Sequence, residues 1–105
     1  MPLVTLREAI ARLDQLEDDA TLYVAGRSDE WTAESDTGAG TAILSEDEIT
    51  GDVSETLPAE AEGRTYFLEV AIAKEILGGW ASNQARDPSL EERVERIIYY
   101  ARFDA

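Results

Sequence analysis

Carboxylates are the one kind of reactive side chain present in quantity, with 23 aspartates and glutamates against nine lysines and arginines in 105 residues. The missing residue types exclude more chemistry than the abundant ones suggest. There is no histidine, so a serine hydroxyl lacks its usual proton acceptor, and no Gly-x-Ser-x-Gly stretch occurs; hydrolysis by a triad is excluded. There is no cysteine either, which removes thiol nucleophiles, thiolate metal sites and disulfides. Any catalysis would have to be built on Asp and Glu alone.

Three stretches could carry such chemistry, and each has an ordinary reading beside it. Glu69 lies in the most apolar run of the chain, where desolvation would favour its neutral form. Its ordinary place is the solvent side of a strand, or a pair with Arg64. Glu46-Asp47-Glu48 with Asp52 offers oxygen ligands to Ca²⁺ or Mg²⁺, but a calcium loop counted from Asp47 needs its glycine sixth and Gly51 falls fifth. Gly38-Ala39-Gly40 has no lysine after it and lies near Asp36 and Asp29, so repulsion argues against phosphate and turn chemistry explains the glycines. No cofactor, metal or catalytic residue is assigned.

The net charge of −14 is distributed unevenly. Between residues 14 and 62, fifteen acids face Arg27 alone, whereas the two flanking segments are close to neutral. Nucleic acid and anionic membranes are poor partners for such a surface, because binding them relies on lysine and arginine against phosphate. A basic protein, such as a toxin or nuclease, would be steered toward it. On this reading the candidate contacts are Asp29, Glu30, Glu34, Asp36, Glu46, Asp47 and Glu48, with Trp31, Tyr99 and Phe103 as aromatic anchors. Ordinary packing is the competing role for the three rings. The competing explanation of the acidity is adaptation to salt or to genome composition, which eight arginines to one lysine would also fit. A homodimer through Tyr99 and Phe103, and a divalent-cation or carboxylate-dependent activity, are the alternatives from other classes.

The elements that would position these residues follow from period and capping. Thr5-Leu6-Arg7-Glu8 and Ser89-Leu90-Glu91-Glu92 have the spacing of capping boxes. The first opens a helix with Leu6, Ala9, Ile10 and Leu13 on one face, and the second a helix with a Leu90, Val94, Ile97, Ile98, Ala101 stripe. Thr65 to Val70 alternates like a strand, with Tyr66, Leu68 and Val70 on its inner face. From Ala71 the period lengthens to that of a helix carrying Ile72, Ala73, Ile76, Leu77 and Trp80. Further strands begin near Thr21 and Gly40, the latter running to Leu44, and residues 45 to 63 read as a mobile acidic loop. The expectation is one α+β domain over residues 1–105, in the order helix, three strands, two helices, with a small antiparallel sheet and an acidic, loop-rich region at 26–63. Neither a signal segment nor a long apolar span is seen, so a cytoplasmic protein is expected.

Glu30-Trp31-Thr32, Tyr66-Phe67-Leu68-Glu69-Val70, and the tail from Ser89-Leu90-Glu91-Glu92 through Tyr99-Tyr100 to Phe103-Asp104-Ala105 resemble, in order and spacing, a group of small acidic bacterial proteins known only as a domain of unknown function. The resemblance implies a cytoplasmic bacterial protein with no assigned activity. It brings no catalytic residue to carry over.

Overall fold

A computed structural model describes residues 5–103. The fold is α+β, and the described residues form three α-helices and five strands in two antiparallel sheets. Helix α1 (Leu6–Ala11) starts where the Thr5 hydroxyl accepts the Glu8 amide at 3.2 Å, and it buries Leu6, Ala9 and Ile10. A 3-10 turn continues it and buries Leu13. Strand β1 (Thr21–Val24) is central in a sheet of order β2-β1-β5, with β2 at Thr37–Gly40 and β5 at Thr65–Glu69. Helices α2 (Val70–Ser82) and α3 (Leu90–Phe103) follow. The α3 capping box is complete: Ser89 Oγ accepts from the Glu92 amide at 3.2 Å, and Glu92 Oε1 accepts from the Ser89 amide at 3.0 Å.

One core lies between the helices and one face of this sheet. Leu22 and Val24 of β1, Phe67 and Leu68 of β5, Val70, Ala73 and Leu77 of α2, and Val94 and Ile97 of α3 meet in it. Burying side chains of this size contributes about 1.5–3 kcal/mol each, which is why the two sequence periods placed the helical part of this core correctly.

The alternation expected within β5 fails at its middle. Leu22 pairs with Leu68 but Tyr23 with Tyr66, so Phe67 is an extra residue in the ladder. This bulge lets Phe67 and Leu68 both enter the core and leaves Tyr66 exposed. Phe67 and the indole of Trp31 stack edge to face at 4.8 Å. A strict period of two cannot anticipate two adjacent inward residues.

The second strand also departs from expectation. The run from Gly40 to Leu44 is not one strand: β2 ends at Gly40, and a separate strand, β3 (Ile43–Glu46), pairs only with β4 (Val53–Thr56). Gly38 and Gly40 are not turn glycines. They lie in β2, where a Cβ on Gly40 would come within 2.8 Å of the Pro58 ring and one on Gly38 within 3.0 Å of Glu60 Cβ. The glycines let the Pro58 to Ala61 segment lie directly on β2.

Candidate partner-binding surface

Residues 45–63, expected as a mobile loop, contain instead the far half of a hairpin and a 3-10 turn at Ala59–Ala61. Ile43 faces Thr56, Leu44 faces Glu55, Ser45 faces Ser54 and Glu46 faces Val53. All eight strand residues are exposed, and the hairpin stands as a finger apart from the main sheet. The radius of gyration is 15.0 Å, against about 13 Å for a compact domain of this length.

The tip of the finger is built by its own side chains. Asp47 Oδ1 accepts the amides of Ile49 at 2.8 Å and Thr50 at 3.1 Å. The amide of Gly51 donates to the Asp47 carbonyl at 2.8 Å, and the amide of Asp47 to the carbonyl of Asp52 at 2.8 Å. Gly51, at φ +75°, supplies the left-handed residue that the closure needs. The amides of Thr50 and Ile49 hold the Asp47 carboxyl below its ordinary value. The turn presents Ile49, 95% exposed, at the end of an acidic finger.

The acidic residues named from sequence fall into two sets. Glu34 pairs with Arg7 at 2.6 Å, Asp36 with Arg64 at 2.9 Å and Asp29 with Arg27 at 3.6 Å. Glu30 accepts the Arg27 amide at 3.3 Å. Arg7 also holds Glu91 at 2.6 Å, so one guanidinium ties α1, α3 and the 32–36 loop together. These contacts lower the Glu91 carboxyl and raise the Arg7 guanidinium, in each case chiefly through their shared hydrogen bond. Among the described residues, Glu46, Asp47 and Glu48 have no cationic partner, and neither do Asp52 and Glu55.

The aromatic candidates separate in the same way. Trp31 is 8% exposed and belongs to the core, so its ring is not a free anchor. Arg102 fastens its loop to α3, donating to the Ser28 carbonyl at 2.8 Å and the Trp31 carbonyl at 3.4 Å. Tyr99 and Phe103 stack at 5.0 Å on the surface of α3. With the edge of Trp31, Ile98 and Glu95 they line a shallow cleft of about 390 Å³.

Glu69 is exposed, at the last residue of β5 and the N-cap position of α2, and Arg64 is engaged by Asp36. Among the described residues no three Asp or Glu side chains converge as metal ligands would. No helix among them is long and apolar enough to cross a membrane.

The profile of one family, described as a domain of unknown function (DUF7716), matches residues 3–105. The chain belongs to that family. The match covers nearly the whole sequence, the finger and the core alike. No curated protein and no solved structure gives a significant match.

Sequence reasoning did not single out Ile49 and counted Asp52 and Glu55 only within the acidic 14–62 stretch, without the hairpin that holds them. A signal was present: Ile43-Leu44 and Val53-Ser54-Glu55-Thr56 flank an Asp-x-x-x-Gly turn. The density of acidic residues masked it as a loop.

Proposed function

We propose that this chain is a cytoplasmic, non-enzymatic binding module whose acidic finger docks on a basic protein, as a small acidic inhibitor docks on a toxin or nuclease. One observation carries the reading: the hairpin and its turn carry Glu46, Asp47, Glu48, Asp52 and Glu55 with no base among them and no cationic partner among the described residues, and expose Ile43, Leu44, Ile49 and Val53 beside them. A projecting, uniformly anionic element accelerates encounter with a cationic surface. Apolar side chains within an acidic rim then slow dissociation once they are desolvated. The absence of histidine and cysteine supports binding over catalysis.

The test compares the native protein with a variant carrying Glu46→Gln, Glu48→Gln, Asp52→Asn and Glu55→Gln, which spares the Asp47 turn. Both are immobilised and exposed to proteins of the source cell at low and at high salt. Basic proteins should be held by the native chain at low salt, released at high salt, and not held by the variant. Retention by both forms alike, or retention of no basic protein, would overturn the reading.

A further inference from the structure

Two-stranded hairpins are marginal in water, and a third strand with a shared face is what normally makes them persist. Among the described residues β3 and β4 pair only with each other, so each keeps one outer edge of four residues whose backbone N–H and C=O groups meet no other strand. Sheet edges are usually blunted by proline, lysine or a bulge. None of these occurs between Ile43 and Thr56.

The register decides what could fill the edge. Directly opposed residues share a face, so Ile43, Thr56, Ser45 and Ser54 form one side and Leu44, Glu55, Glu46 and Val53 the other. Both strand glutamates therefore lie on the same side, each directly opposite an apolar residue. A second copy of this chain, added edge to edge, would bring one hairpin of five acids and no base against another, and like charges repel. A cationic strand would meet the opposite sign at the same positions.

We infer that the hairpin takes up, as a third strand, an extended basic segment of a partner protein in which lysine or arginine recurs at every second residue. The basic side chains lie over the Glu46 and Glu55 face, and the residues between them, small or hydroxylated, lie over the Ile43 and Ser45 face. Backbone hydrogen bonds supply affinity, and the alternating pattern supplies selectivity. The inference rests on the reading of the finger as the docking element and adds the conformation and pattern of what it binds.

The probes are three synthetic peptides long enough to span β3: one alternating lysine and threonine, one of the same composition with the lysines in a block, and the alternating one N-methylated along its whole backbone. Binding to the full chain is followed by amide chemical shifts and hydrogen exchange. The alternating peptide should bind with new protection at amides of β3 or β4. Loss of its backbone donors should weaken it about tenfold or more, since several hydrogen bonds go at once. Equal binding by all three peptides would overturn strand addition while leaving attraction between finger and cationic partner intact. Failure of all three would also overturn it, and the salt-dependent capture would then decide the broader reading separately. Protection at β3 or β4 that rises with protein concentration and no peptide would assign the edge to a second copy, which equally overturns the inference.

Discussion

The two acidic stretches of this molecule, residues 29–36 and 46–55, look alike in sequence and behave differently in the fold. The first carries Asp29, Glu30, Glu34 and Asp36, and each of these reaches an arginine or the backbone beside one. Its one large ring is sealed against Phe67. The second carries Glu46, Asp47, Glu48, Asp52 and Glu55, meets no base among the described residues, and leaves its apolar side chains in water. The contrast teaches that charge density does not identify a binding surface. What matters is whether the chain's own cations have already engaged the charge.

The comparison can be broken most forcefully at Trp31. If the first stretch is structural, Trp31→Ala should cost about 3–5 kcal/mol, as for other buried aromatics, read as a lower midpoint in denaturant unfolding. A cost near zero would show that the loop is not anchored as described. Gly40→Val comes next, at about 1–3 kcal/mol, because its side chain must overlap Pro58 beneath the base of the finger. Thermal unfolding would register it.

Acid sharpens the contrast on the paired side of the molecule. Arg86, reinforced by Ser89, holds the Glu92 carboxyl at about 2, below its ordinary 4.5. A carboxyl depressed on folding contributes stability above its unfolded value, and that contribution is lost as pH falls from about 4.5 through 2. Glu92→Gln should therefore flatten part of the acid limb of a stability-versus-pH curve and leave the neutral limb parallel to the native one. The smallest effect is expected on the finger: Ile49→Ser should change stability by no more than about 0.5 kcal/mol, as befits a fully exposed side chain, while weakening capture of basic partners. A large loss of stability there would mean that the tip packs on the body. If Tyr99 and Phe103 instead carry a homodimer, sedimentation will show a dimer that Phe103→Ser abolishes.

Legibility followed the range of the forces. Thr5, Ser89 and Glu92 announced their helices because a cap is satisfied within four residues. The apolar stripes of α2 and α3 were readable because burial follows the helical period. The break between β2 and β3 was not. Nor was the packing of Pro58 and Glu60 over Gly38 and Gly40, some twenty residues away along the chain. Of the candidate contacts, Glu46, Asp47 and Glu48 remain together on the finger, Tyr99 and Phe103 stand side by side on α3, and Trp31 is withdrawn into the core.

By itself the sequence determined the excess of carboxylates, the exclusion of thiol and imidazole chemistry, the capped helices and the α+β class, since each follows from residue type or from neighbours a few positions apart. Only the tertiary structure decided which carboxylates are free. An ion pair such as Asp36 with Arg64, or Glu34 with Arg7, joins residues more than twenty positions apart, and its formation depends on how the sheet and helices bring them together.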